Sequence, residues 1–406
     1  MTSLETLKGK RIPVRFLLSM NRAGSATRFT ADTASALAKM GIPVTVEYPA
    51  VDWWDYQRFT LSRLPFLKKW KWTVRLAGQL LWGVLFHRRW CGFRYHRVDP
   101  RVKTHCYGLA PTARHWKPRE ITVVHPPYLI PHLLRTLPQP GLKMVSALHM
   151  NLEKALASPS AEAAAWYRNW VARERYLQIP RYTTSQASRE AAQRLGIPVR
   201  RIIYDGSLDL DLFHPDPTAK ERKKVAVLLY CDRNLQKGQA VGIRALEGLK
   251  ASFPQVQFYS VGNVYPRYAN FFDQNHGFLH QEQLVKVLQE TDIFVYPSLY
   301  DGFPAPPLQA LACGAALVST AVEGVREYVV PGENGLLCEP GDPISLRNQV
   351  IRLIQDSDLR RKLQQNGPQT AQAFSIEKST EQLLEFLEEV YAESPVEAPT
   401  LMEVSS

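Results

Sequence analysis

Arg233 and Lys237 stand four residues apart in YCDRNLQKG, where an apolar run ends and a helical pattern begins. Two cations at a strand-to-helix turn suit a diphosphate, because the first backbone N–H groups of a helix and its dipole favour an anion there. The same pair also fits a solvated turn. Further on, LYDGFPAPPLQALACG (299–314) follows DIFVYPS. Asp301 ends that run, Gly302 lets a backbone approach a ligand, and Gln309 falls about one turn into the next helix. Both polar side chains can then face one cleft. A third segment, VEGVREYVVPGENGLLCEPGDP (322–343), reads either as ligand loops or as Gly/Pro punctuation. In the first half, His149 closes KMVSALH, where the residues alone favour a packed strand-end histidine over a catalytic one. His125, in VVHPP, reads as structural. The loop Asn21–Ser25 holds Gly24 alone as an acceptor- or phosphate-side glycine. Asp209-Leu-Asp211 is a DxD string that suggests a metal, but it falls in a linker.

The elements that must carry these residues alternate between strand and helix. RIPVRFLLS, a helical stretch to Met40 stopped by Gly41, and IPVTVEY make a βαβ unit. ITVVH (121–125), KMVSALH, RYTTS and RRIIYD continue the strands. Ser158 and Pro159 suit the N-cap and first position of a helix running toward Tyr176. The pattern restarts with VAVLLY (225–230), a helix after Lys237-Gly238, VQFYSVG (256–262), helix QEQLVKVLQE, DIFVYPS, a helix over 304–313 and AALVST (315–320). Alternation of this kind predicts an α/β fold of parallel sheets covered on both faces. In such sheets ligands bind beyond the carboxyl ends of the strands. The halves meet at YDGSLDLDLFHPDP (204–217), giving domains over 1–205 and 206–392. Residues from Ile344 to about Ala392 are helical in pattern, and 393–406 reads as a disordered tail.

Composition narrows the partners. The 406 residues are 45% apolar and 22% charged, which excludes global disorder. Five cysteines without CxxC spacing make neither a disulfide framework nor a zinc module, and Cys231 and Cys313 read as packing residues. The opening residues lack a signal-peptide pattern, and no apolar run reaches bilayer-spanning length. A cytoplasmic setting follows as the expectation. Charge is lopsided: 33 Lys+Arg against 12 Asp+Glu in residues 1–205, then 17 against 26 in 206–406. The first half therefore faces something anionic, be it phosphate, a lipid surface or nucleic acid.

Taken in order and spacing, these segments resemble the retaining nucleotide-sugar glycosyltransferases of family 4, with the GT-B architecture. That pattern has an acid, Gly-Phe, a short Pro-containing run and a second acid after seven intervening residues. Here it stands as Asp301-Gly-Phe-Pro-Ala-Pro-Pro-Leu-Gln309, flanked by PS and ALACGAALVST. EYVVPGENGLL, PGDP, LDLDLFHP and LKMVSALH match as well. The resemblance implies two Rossmann-like parallel-sheet domains facing across a cleft, and an enzyme that moves a sugar from a nucleotide donor to an acceptor hydroxyl. It implies that Arg233 and Lys237 neutralise the departing diphosphate and that Asp301 contacts the donor sugar. Gln309 takes the place of a ribose-binding Glu, and amides around Gly302, Phe303 and Ala305 hold phosphate and sugar oxygens. His149 faces the reacting carbon, and no metal or other cofactor is needed. Three departures bear on activity: Gln309 is a neutral acceptor, Pro304 lacks an N–H, and Asp301 is one methylene shorter than Glu.

Residues 53–103 stand apart. Six of the nine Trp lie there, with twelve Lys/Arg against Asp99 alone between Arg58 and Lys103. LAGQLLWGVLF (76–86) is apolar and too short to span a bilayer. The stretch reads either as a buried helix with a basic flank or as a peripheral contact with an anionic membrane's inner face. The membrane reading is a hypothesis, tested by flotation with anionic and neutral liposomes: equal, negligible binding to both removes it. Three function classes follow. The first is a glycosyltransferase acting on a lipid-linked or polyanionic glycan. The second is a non-catalytic nucleotide-sugar-binding scaffold, suggested by Pro304 and Gln309. The third, a nucleic-acid binder, rests on charge alone and lacks a recognised motif.

Overall fold

Short runs of β-branched and apolar residues build two parallel sheets, as strands buried on both faces require. A computed structural model describes residues 12–18, 25–49, 98–107, 120–125, 143–148, 152–157, 161–174, 179–204, 208–218 and 224–393. Met1–Ile203 together with Ser379–Ser406 form one unit, and Tyr204–Lys378 form the other.

In the first unit, β1 (Val14–Leu18), α1 (Ser25–Lys39) and β2 (Val44–Pro49) make the expected βαβ start, with Gly41 at φ 83° turning the chain after the helix. Then come β3 (Lys103–Tyr107), β4 (Ile121–His125), β5 (Lys143–Leu148), α2 (Leu152–Leu156), α3 (Ala161–Glu174), β6 (Arg181–Thr183), α4 (Gln186–Arg194) and β7 (Arg201–Ile202). Their order across the sheet is β3-β2-β1-β4-β5-β6-β7, parallel throughout. Arg15 of β1 is buried, at 6% exposure, and pairs with Glu47 of β2 and with Glu120 beside β4 at 2.6 Å. Acids from the strands on both sides thus compensate a charge that would otherwise be costly to bury.

The second unit runs β8 (Val225–Cys231), α5 (Gln239–Leu246), α6 (Leu249–Ser252), β9 (Val256–Gly262), β10 (Gln274–Asn275), α7 (Gln281–Gln289) and β11 (Ile293–Tyr296). It continues with α8 (Ala305–Ala312), β12 (Ala316–Thr320), α9 (Glu323–Arg326), β13 (Gly335–Cys338), α10 (Pro343–Gln355) and α11 (Ser357–Ala371). Strand order is β10-β9-β8-β11-β12-β13, again parallel. Strand β11, Ile-Phe-Val-Tyr, is wholly buried at the centre of this sheet.

The last helix, α12 (Ile376–Ala392), belongs with the first unit from Ser379 onward, although its place in the chain follows the second. Leu383, Leu384, Phe386, Leu387 and Val390 join the core of the first sheet. Phe386 meets Tyr182 edge-on at 6.0 Å between ring centroids. Arg201 at the sheet edge pairs with Glu385 and Glu389 on the helix. Phe386→Ala is expected to destabilise the first unit by about 3–5 kcal/mol, as aromatic deletions in a packed core do. Urea denaturation measures this, and a loss below about 1 kcal/mol would show that α12 is dispensable there. Among the described residues, no helix is long and apolar enough to cross a membrane.

Candidate functional site

The strand order of the second sheet reverses between β8 and β11, whose neighbours on either side come from opposite directions of winding. At such a switch point the loops beyond the two carboxyl ends diverge and leave a crevice for a ligand. Residues 232–238 follow β8, and residues 297–304 follow β11. Arg233, Lys237, Asp301, Gly302 and Phe303 lie on these two loops, and Ala305 and Gln309 belong to the helix that continues the second loop.

The first loop is built by short-range capping. The Asp232 carboxylate accepts from Asn234 N at 2.7 Å, and Asn234 caps the 3-10 turn Leu235–Lys237 by accepting from Gln236 N at 3.1 Å. Gly238 then turns the chain at φ 65°, and a Cβ there would sit 1.9 Å from the Pro297 carbonyl oxygen. Only glycine permits that approach. The loops are sewn together where Leu299 N donates to Gln236 O at 2.7 Å and Ser298 Oγ lies 3.1 Å from the same oxygen. The Tyr265 hydroxyl donates to Arg233 O at 2.7 Å, fixing the outer side of the turn.

This joining brings residues 64 positions apart into contact. Lys237 Nζ donates to Asp301 Oδ2 at 2.7 Å, and the Tyr296 hydroxyl lies 3.3 Å from the same nitrogen. Tyr296 donates to Asp301 Oδ2, and Ser298 Oγ lies 3.1 Å from it. Burial, then the neighbouring Asp301 charge, holds the Tyr296 phenol well above its usual 10.0, so it stays protonated. Arg233 is exposed, and among the described residues its guanidinium has no ion pair. A strongly hydrated ammonium paired with a carboxylate, with an exposed guanidinium four residues earlier on the same loop, can receive a ligand carrying both phosphate and hydroxyl groups.

Gly302 and Phe303 form the turn into α8. Phe303 packs against Tyr204, Tyr328 and Phe374 at 5.3, 5.7 and 5.8 Å, so its ring holds the turn. The Tyr328 hydroxyl donates to Pro304 O at 3.2 Å. Ala305 opens α8 behind Pro304 as N-cap, and no side chain caps the helix. Pro304, Pro306 and Pro307 lack three of the four leading N–H groups, leaving that of Ala305. The helix end is therefore a poorer anion cradle than a helix with its full set of N–H groups. Gln309 sits on α8 at 3% exposure.

Some expected participants fall elsewhere. His149 and Gly24 lie outside the described residues, as does 53–97 of the basic, tryptophan-rich stretch. Asp209 is part of the chain's local architecture: its carboxylate accepts from Asp211 N at 3.0 Å and lies 3.3 Å from Leu212 N. Among the described residues, no cluster of three or more His, Cys, Asp or Glu is arranged to hold a metal. Cys231 and Cys313 are buried, and burial pushes both thiols up to about 12. Sequence reasoning missed Tyr296, Ser298 and Gly324. Gly324 N donates to Asp301 O at 3.0 Å and brings α9 against the Gly302 turn. A hydroxyl-bearing residue closing an otherwise apolar strand was the available signal for Tyr296.

Residues 214–370 match the family described as Glycosyl transferases group 1. An uncharacterized glycosyltransferase of Methanocaldococcus jannaschii is 29% identical over 150 residues, covering 35% of this chain and 42% of that protein. The N,N'-diacetylbacillosaminyl-diphospho-undecaprenol alpha-1,3-N-acetylgalactosaminyltransferase of Campylobacter jejuni is 29% identical over 206 residues, covering 46% and 54%. The chain thus spans about half the length of the curated relatives it matches. Among solved structures, sucrose-phosphate synthase from Thermosynechococcus elongatus superposes with a TM-score of 0.66 at 20% identity, over 94% of this chain and 99% of that one. Anabaena HepE, solved in complex with UDP-glucose, gives 0.65 at 17% identity, over 93% and 99%. At these identities the likeness is one of fold: two parallel-sheet α/β domains, the GT-B architecture.

Proposed function

We propose, for a chain whose residues 214–370 match the group 1 glycosyl transferase family, that it transfers a sugar from a nucleotide-activated donor to an acceptor hydroxyl. The observation that carries this reading is the contact of Lys237 with Asp301, with Arg233 exposed on the same loop as Lys237, at the switch point of the second sheet. Arg233 and Lys237 would take the donor's diphosphate, with the amides of Phe303 and Ala305 as further donors. Asp301 would accept from a sugar hydroxyl, and Gln309 is assigned to the ribose. Negative charge on the leaving oxygen grows as the bond to the anomeric carbon breaks, so fixed cations there help the transition state most.

Retention is the stereochemistry we assign. The acceptor oxygen bonds to the anomeric carbon on the face from which the diphosphate departs, and its proton passes to the leaving phosphate oxygen. His149 is assigned to the reacting carbon's side by the sequence resemblance. For the acceptor we favour a lipid-linked or polyanionic glycan, in keeping with the basic first half and with the polyprenyl-diphosphate named for the Campylobacter relative. A cytoplasmic protein resting on the inner membrane face accords with that acceptor.

A second reading, a nucleotide-sugar-binding scaffold without turnover, is favoured by the prolines that thin the amides around α8 and by neutral Gln309. Incubation with radiolabelled UDP-, GDP- and ADP-sugars, with and without lipid extract, separates the two. Donor hydrolysis or labelled lipid is expected for the enzyme. Binding without turnover of any donor would establish the scaffold.

A further inference from the structure

Three donors surround one oxygen of Asp301, and they are not equivalent. Lys237 reaches Oδ2 from a loop, and its side chain keeps 23% exposure. Ser298 has a single proton and three acceptors in reach: Asp301 Oδ2 at 3.1 Å, Gln236 O at 3.1 Å and Tyr300 O at 3.0 Å. Tyr296 has its one proton on Asp301 Oδ2. Its ring is fully buried and lies 5.2 Å from that of Tyr230. Its carbonyl is reached by Ser319 Oγ at 3.3 Å and Thr320 Oγ1 at 3.5 Å, which ties it to β12. Among the described residues Asp301 Oδ1 has no hydrogen-bond partner, which leaves it to accept from a ligand.

Resting on the donor-site reading above, we propose that Tyr296 is a positioning residue, holding Asp301 for the donor sugar while Lys237 turns to the diphosphate. A diphosphate carries more negative charge than a carboxylate, so the ammonium follows it when the donor enters. Asp301 then loses its charged partner. Ser298 can satisfy it only by abandoning its backbone acceptors. The Tyr296 hydroxyl stays where it was, aimed by a buried ring on a central strand. Asp301 keeps its direction and presents Oδ1 to the sugar.

The test uses the full-length protein, UDP, GDP and ADP as binding probes, and whichever of UDP-glucose, GDP-mannose and ADP-glucose the wild type turns over best. Tyr296→Phe removes the hydroxyl and keeps the ring. Its affinity for the matching free nucleoside diphosphate is expected within twofold of wild type, because that ligand has no sugar. Its kcat/KM for the sugar nucleotide should fall about tenfold, the usual scale for losing a hydrogen bond to a charged group. In an Asp301→Asn background the same change should add less than twofold, since Tyr296 acts through that carboxylate. Ser298→Ala, which also serves should Tyr296→Phe not fold, should cost less than threefold.

Wild-type kcat/KM in Tyr296→Phe would overturn the assignment. So would an equal loss in both backgrounds, or a tenfold loss in Ser298→Ala. A wild type that binds none of the three nucleoside diphosphates overturns the donor-site reading itself, and the role of Tyr296 with it.

Discussion

Lys237→Ala should lower sugar-nucleotide turnover by on the order of 10²-fold, and Arg233→Ala by a similar factor. Both side chains stand at the carboxyl end of β8, where a leaving diphosphate would gather charge, and one positioned donor at such charge is worth a few kcal/mol. The two variants should differ in the free protein. Removing Lys237 leaves Asp301 Oδ2 with Tyr296 and Ser298 as neutral donors, whereas Arg233 is exposed and its loss breaks no ion pair among the described residues. Arg233→Ala should therefore melt within about 1 °C of wild type, while Lys237→Ala shifts measurably. Lys250→Ala is the control: its pair with Asp273 is exposed on both sides, and activity should stay within twofold. Steady-state kinetics with any accepted donor decides this, and wild-type turnover in both site variants removes their assignment.

The second large effect is expected at Gly324, which touches no ligand in the proposed arrangement. A Cβ there would lie 2.4 Å from Gly302 O, and 2.6 Å from both Gly302 C and Phe303 Cα. These are backbone atoms and cannot move aside as a side-chain tip can. The Phe303 ring is itself wedged among Tyr204, Tyr328 and Phe374, so the strain passes to the turn that carries Asp301. Gly324→Ala should destabilise the second unit by about 1–3 kcal/mol, the range for overpacking. Turnover should fall by about 10²-fold, because a displacement near 1 Å of positioning groups costs that much. A melting curve and kinetics on the soluble variant give both numbers. Unchanged kinetics would mean that the Gly302 turn does not position the chemistry.

Much of the strand and helix alternation was legible because parallel strands buried on both faces leave short apolar runs between helical patterns. β8, β9, β11 and β12 fall where VAVLLY, VQFYSVG, DIFVYPS and AALVST indicated. β13 was hidden: four residues enclosed between turns at Gly332 and Gly341 show no periodicity, and the segment reads as punctuation. β3 was hidden for another reason. Its sequence, KTHCY, is polar and sits in a basic stretch, yet it can serve as an edge strand that pairs on one side with β2. The amphipathic pattern of α12 is plain, but an apolar helix face does not say which sheet it covers. Only the structure shows that Leu383, Phe386 and Leu387 return to the first sheet.

At the candidate site, residue type and spacing were enough to single out Arg233, Lys237 and Asp301. The contact of Lys237 with Asp301 was not, because it depends on β8 and β11 being neighbours although α5, α6, β9, β10 and α7 separate them in the chain. The hydroxyl of Tyr296 does not stand out in sequence, since a tyrosine closing Ile-Phe-Val completes an apolar run. What sets it apart is its position at the carboxyl end, where the polar tip meets the crevice. The proline-rich start of α8 could be read in sequence, and its cost in backbone N–H groups follows directly from chemistry.

Binding of a nucleoside diphosphate by the wild-type chain is the most direct measurement. Thermal unfolding is recorded with UDP, GDP and ADP in separate titrations, beside Lys237→Ala. At least one nucleotide should raise the wild-type midpoint by several degrees, since a ligand at a hundredfold its Kd adds about 2.7 kcal/mol, and the shift should shrink sharply in the variant. No shift with any of the three at millimolar concentration, or an equal shift in Lys237→Ala, would contradict a diphosphate site at the end of β8.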